Sequence, residues 1–200
     1  MSDEQRAYPA VKPVTLTGEE AFTGMTSRRA TVLNYWRWAN SDLVGNVSRG
    51  ILAEYLVALA VQATDEPRDP WAAFDVVTPS GITIEVKSAA YIQAWDQRAL
   101  SRISFLTRAT EDPILTPGVT PVVSRRSQVW VFALLHHSEQ ETLNPLDVSQ
   151  WTFWVVPTPW LNARERSQHS ITLTSLKASP YGVPVDFDHL AEAIAQVAAI

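Results

Sequence analysis

The alternation of apolar and polar positions is sharpest at residues 82–87. There Ile82, Ile84 and Val86 interleave with Thr83, Glu85 and Lys87, the period-two pattern of a strand with unlike faces. Ala72–Val77 reads as the strand before it, joined through Thr78-Pro79-Ser80-Gly81. Pro79 suits the second position of a type I turn, and Gly81 suits the left-handed position that follows. A three-residue loop, Pro79 to Gly81, sets Thr78 opposite Ile82, Val77 opposite Thr83, Val76 opposite Ile84 and Asp75 opposite Glu85. Ser48–Thr64 is apolar on nearly every side and predicts a buried helix, capped by Ser48 with Arg49 at its start. Thr31–Leu43 predicts a helix whose Tyr35, Trp36 and Trp38 belong to the core. Gln128–Leu135 is a continuous apolar run, as expected of a central strand covered on both faces. Ser101–Thr107, Trp151–Val156 and Ser170–Leu176 read as further strands. Trp160–Arg166 reads as a short helix and Asp186–Ala199 as an amphipathic one capped by Asp186 or Asp188. Ala109–Arg126 reads as a long loop closed by Arg125-Arg126, and the first twenty residues read as a mobile arm. Together these elements predict one α/β domain, a mixed central sheet flanked by helices with its site on a sheet edge.

Composition narrows the function classes. Two hundred residues, 46% of them hydrophobic, suffice for one domain with a real core. No apolar run is long enough for a membrane span, and the polar N-terminus lacks the core of a signal peptide. The absence of cysteine removes disulfides and thiolate metal sites and points to the cytoplasm. A net charge of -5 argues mildly against a nucleic-acid binder, but the charge is unevenly spread. Arg28 to Arg126 holds eleven basic and ten acidic residues, and thirteen of the sixteen basic residues are arginine, the better phosphate fork. No phosphate-binding glycine loop, dinucleotide fingerprint, zinc-ligand spacing or Gly-x-Ser-x-Gly elbow is present. His136 and His137 are adjacent on a strand, point to opposite faces and read as structural.

The candidate chemistry lies on the hairpin. Glu85 and Lys87 share a strand face, and Asp75 opposes Glu85 across the turn. Two carboxylates so placed repel, and a hard divalent cation on adjacent strands would relieve them. The competing reading is an exposed sheet face with scattered charge. Glu54 is the one charged residue between Gly50 and Thr64. A carboxylate on so apolar a helix pairs, coordinates a metal or protonates, and a salt bridge to Arg49 is the plain alternative. Gln93, with Gln97 four residues on, is a candidate substrate contact, as is Arg49.

Asp75, nine intervening residues, then Glu85-Val86-Lys87 resembles the PD-(D/E)XK motif of restriction endonucleases, Holliday junction resolvases and DNA repair nucleases. Phe74 stands where that motif has proline. The stretches W-R-W-A-N-S-D-L, R-G-x-L-A-E-Y and E-V-K-S-A-A-Y-I-Q-A-W are similar to a bacterial group of restriction-endonuclease-like proteins. The resemblance covers Arg49–Leu135, with Trp151 onward as additional strand and helix. It implies Mg²⁺ or Mn²⁺ held by Asp75, Glu85 and the Val86 carbonyl, with Glu54 acting through water or on a second ion. Lys87 would position or deprotonate the attacking water. The implied activity is phosphodiester hydrolysis in nucleic acid, DNA first, leaving 5′-phosphate and 3′-hydroxyl ends. The alternative is a catalytically inactive protein of the same fold, serving as a nucleic-acid-binding or assembly module. DNA against RNA, the number of ions and the oligomeric state stay open, a homodimer among the options.

Overall fold

The computed structural model describes Tyr8 and residues 11–26, 29–111, 123–164 and 169–200. The chain divides into two compact units, Met1–Ser41 with Asp65–Arg68, and Asp42–Thr64 with Asp69–Ile200.

The first unit carries α1 (Val32–Asn40). The Asn34 side chain accepts the Thr31 backbone N–H at 2.8 Å and so closes the start of the helix. Upstream, Glu20 accepts the N–H groups of Thr17 and Gly18, each at 2.9 Å. The carbonyls of the resulting turn accept from the start of α1, Gly18 from the Leu33 N–H and Glu20 from the Val32 N–H. Residues 17–20, expected in a mobile arm, are therefore bonded to the helix start; Met1–Ala7, Pro9 and Ala10 of that arm lie outside the described residues. Gly18 has φ +95°, and a side chain there would meet the Trp36 ring at 3.1 Å, so both backbone and packing require glycine. The expected burial of the α1 aromatics does not hold. No α1 residue is buried, Tyr35 is 51% exposed and Trp38 85%. Trp36 packs its ring close to Gly18.

The second unit contains α2 (Asn46–Ala60) and the hairpin strands β1 (Val76–Val77) and β2 (Thr83–Ala90). β3 (Ser104–Leu106), β4 (Thr110–Glu111) and β5 (Val123–Ser124) follow, then β6 (Val129–Leu135), β7 (Trp151–Pro157) and α3 (Thr158–Ala163). β8 (Ser170–Thr172), α4 (Leu173–Lys177) and α5 (Leu190–Ala198) complete it. The main sheet has the order β1-β2-β6-β7. β1 and β2 are antiparallel, β2 and β6 parallel, and β6 and β7 antiparallel, which makes a mixed sheet flanked by helices. β6 is central, and all seven of its residues are buried, as its unbroken apolar run requires.

Side-chain alternation splits the core in two. Ile84, Val86, Val129, Val131 and Phe153 face α2 and α5. Ala89, Trp130, Phe132, Leu134 and Trp154 face β3, β8, α3 and α4. Glu85 and Lys87 alternate with the first set, and so lie on the second face.

Several boundaries differ from expectation. α2 starts at Asn46, two residues before Ser48, because Asp42 Oδ1 accepts the N–H groups of Val44 and Gly45 and turns the chain early. Nor is α2 buried all round. Arg49, Ala53, Leu56 and Val57 form its inward stripe, while Ile51, Tyr55 and Leu59 are exposed. β2 runs on through Ser88, Ala89 and Ala90, because β6 pairs with it as far as Leu135. The expected strand at Ser170–Leu176 ends at Thr172, whose hydroxyl accepts the Ser175 N–H and starts α4. Within the expected loop at Ala109–Arg126, β4 and β5 pair, and residues 112–122 lie outside the described residues. His136 and His137 bond separately, to Thr152 Oγ1 and Thr142 Oγ1.

Candidate active site

The hairpin turn is built as its sequence requires. The Gly81 N–H donates to the Thr78 carbonyl, and the Thr78 N–H to the Ile82 carbonyl, both at 2.9 Å. The Thr78 hydroxyl accepts the Ile82 N–H at 2.9 Å. Gly81 has φ +91°, the left-handed residue that closes a three-residue loop. The register follows: Val76 opposes Ile84 and Val77 opposes Thr83.

β1 is only two residues long, so the partner edge of β2 opens immediately beyond it. Asp75 stands at that opening. Its N–H donates to the Ile84 carbonyl at 3.1 Å, and its Oδ2 accepts the Val86 N–H at 2.8 Å. The carboxylate thus takes the place of the missing strand. In an extended chain the N–H and C=O of one residue point the same way. The Val86 carbonyl therefore faces the open edge beside Asp75.

Lys87 closes the group. Its Nζ lies 2.5 Å from Glu85 Oε1 and 3.8 Å from Asp75 Oδ2. The two carboxylates therefore converge on one cationic centre. That ammonium also lies 5.8 Å from the centre of the Trp130 ring. Trp130 pairs with Glu85 in the β2–β6 register and is buried, and its indole nitrogen has no hydrogen-bond partner among the described residues. Burial pushes the Glu85 carboxyl above its ordinary value. The Lys87 charge opposes that shift, and the negative charges of Asp75 and Glu54 add to it.

Glu54 thus acts on this group through its field. Among the described residues, no three Asp, Glu or His side chains stand close enough to hold one metal ion. The donor set at the edge is consequently two carboxylates and the Val86 carbonyl. Hard oxygens in that number suit Mg²⁺, which binds through one or two carboxylates and keeps several waters.

Arg49 and Gln93 meet at the other end of β2. Arg49 Nη1 donates to the Val44 carbonyl at 2.9 Å and to Gln93 Oε1 at 3.3 Å, and Nη2 donates to Asn46 Oδ1 at 2.6 Å. Arg49 is 4% exposed, and burial holds its pKa below the ordinary value. The Gln93 amide donates to the Ala90 carbonyl and to Ser101 Oγ, and its N–H to Gln97 Oε1. The segment after β2 is a loop rather than a helix, and side-chain amides replace the missing helical bonds. Both residues bind the α2 start to that loop. Gln97 and Ser101 complete this network, and Trp130 flanks the charged group. Sequence reading missed all three roles, although the alignment of Trp130 with Glu85 follows once β2 and β6 are paired.

Among families of known proteins, the sequence model of bacteriophage T4 endonuclease IV matches residues 9–111. The chain belongs to the T4 endonuclease IV family. This is a family of nuclease type, and the matched span holds Glu54, Asp75, Glu85 and Lys87. No curated protein and no solved structure matches the chain. No helix among the described residues of this T4 endonuclease IV family member is long and apolar enough to cross a membrane.

Proposed function

We propose that the chain is a metal-dependent nuclease that hydrolyses phosphodiester bonds, in DNA first, by a PD-(D/E)XK mechanism. One observation carries the reading: in a chain of nuclease family, Asp75 and Glu85 converge on Lys87 at an open strand edge, beside an outward-facing carbonyl. Asp75, Glu85 and the Val86 carbonyl would hold Mg²⁺ or Mn²⁺. Such an ion supplies Lewis acidity at a phosphate oxygen and lowers the pKa of bound water.

The remaining roles belong to the chain's own groups. Asp75 uses Oδ2 to fix the Val86 backbone, which orients its second oxygen and the Val86 carbonyl together. Glu85 is held by Lys87 at 2.5 Å, so its carboxylate has a set direction despite burial. Lys87 places positive charge where the scissile phosphate gains negative charge and offers a proton-transfer group to the attacking water. Glu54 adds negative field that favours a cation at the edge.

A second reading has its own observation. Lys87 already counters Glu85, and Asp75 already caps Val86, so the group is satisfied as an inert polar cluster in a binding or assembly module. A time course on plasmid, linear duplex, branched and single-stranded DNA and on RNA, with Mg²⁺ and with Mn²⁺, separates the two. The nuclease reading expects cleavage by the wild type that is lost in Lys87→Ala. Cleavage undiminished in that variant refutes it. Binding without cleavage on every substrate supports the module.

A further inference from the structure

A second group of charges lies on the same sheet face as Lys87 and is not used by the chemistry above. Arg125 follows β5, and its Nε donates to the Thr107 carbonyl at 2.8 Å. Its Nη1 donates to Asn162 Oδ1, also at 2.8 Å. Asn162 lies on α3, and Arg164 is the residue that ends that helix. The Arg164 guanidinium lies 5.7 Å from the centre of the Trp160 ring. Two arginines are thus brought to one end of α3. One is fixed by two neutral oxygens, the other set over an aromatic ring.

Like charges are gathered there, and the partners of Arg125 on Thr107 and Asn162 are both neutral oxygens. Burial, and then the charge of Arg164, hold Arg125 below its ordinary pKa. A helix C-terminus favours a nearby cation, but only by a fraction of the charge that two arginines bring. The location is informative. Leu161 of α3 packs in the same cluster as Trp130, and Trp130 lies beneath Lys87. Lys87 and the arginine pair therefore flank one apolar layer on one face.

We infer that Arg125 and Arg164 form a phosphate-contact site for the backbone of the nucleic acid, on the sheet face that carries Lys87. The inference rests on the reading of the chain as a nucleic-acid enzyme. Arginine forks suit phosphate oxygens, and contacts of this kind set the register of a strand without reading its bases. The polyanionic backbone is the partner that matches two arginines gathered at one end of α3, Arg125 being held there by neutral oxygens.

The test is binding, kept apart from cleavage. Labelled duplex DNA is titrated in chelator across a KCl series, with Arg125→Gln, Arg164→Gln, the double variant and Arg98→Gln as an exposed control. Each true phosphate contact should lower the slope of log K against log salt by roughly 0.7–0.9. The double variant should therefore lose about 1.4–1.8. Arg98→Gln should leave the slope unchanged. Arg125→Lys should keep it, because the charge remains, which a purely structural role of the fork would not predict. A double variant with the wild-type slope overturns the inference, as does a wild type that binds no DNA. Since chelator suppresses metal-dependent cleavage, a failed nuclease assay leaves this result standing, and a failed slope test leaves the nuclease assay standing.

Discussion

Asp75 has two jobs in this structure, and two substitutions separate them. Its Oδ2 caps the Val86 N–H at 2.8 Å, and the same carboxylate is a proposed metal ligand. Asp75→Ala removes both functions. Asp75→Asn keeps an oxygen that can accept the Val86 N–H but removes the charge. A hydrogen bond to a charged acceptor contributes about 1.5–3 kcal/mol. The Asp75 side chain is 22% exposed, so solvent screening brings the expected loss in Asp75→Ala to about 1–2 kcal/mol. For a chain of this size that is a fall in Tm of roughly 2–8 °C. Asp75→Asn should lose less than about 1 kcal/mol, because a neutral bond remains and repulsion with Glu85 is relieved. Divalent ion then discriminates. At a hundredfold excess over Kd, binding to the folded state alone stabilises by about 2.7 kcal/mol. The wild type should therefore gain roughly 5–10 °C with Mn²⁺ or Mg²⁺, and both variants should gain almost nothing. The assay is thermal melting in chelator and in excess ion, followed by denaturant titration. An Asp75→Asn protein that melts as low as Asp75→Ala in chelator would refute the cap argument. An ion-induced gain equal to that of the wild type would refute the metal site.

Lys87→Met, which keeps the apolar stem over Trp130, should reduce cleavage on the order of 10²–10⁴-fold while retaining ion binding, measured by single-turnover kinetics beside the ion-induced melting shift. Glu85 has a raised folded-state pKa, so its ionisation opposes folding. Stability relative to Glu85→Gln should be equal at low pH and fall as pH rises from about 4.5 through the folded pKa, as followed by denaturant titration across pH. An ion needs Glu85 deprotonated, so the ion-induced melting shift should grow over the same pH window. Arg49→Met should cost about 1–3 kcal/mol, because it strands the Val44 carbonyl, Asn46 and Gln93 as acceptors. Hydrogen exchange should show faster opening of the loop from Gln93 to Ser101, and unchanged exchange there would count against the role assigned to Arg49.

Local chemistry alone determined the hairpin. Pro79 and Gly81 can serve only certain turn positions, and a period of two leaves no freedom once the loop length is set. That is why the register of Val76 with Ile84 could be counted from the chain, and why Glu85 and Lys87 had to share a face. The buried centrality of β6 was equally legible, since seven consecutive apolar residues have no polar face to offer solvent. What tertiary structure decided was the fate of groups whose partners are distant in sequence. β1 stops at Val76, and the strand edge it leaves vacant turned Asp75 from a register neighbour into a backbone cap. Only the parallel pairing of β2 with β6 put Trp130 beside Lys87. Helical periodicity marked α2 as apolar, but the packing of one stripe against β2 and α5 chose which side to bury, and left Tyr55 and Leu59 outside. Arg125 reached Asn162 through a fold that brings residues 37 apart together. No local pattern encodes such a meeting, because chain propensity acts over a few residues, whereas packing compares every element with every other.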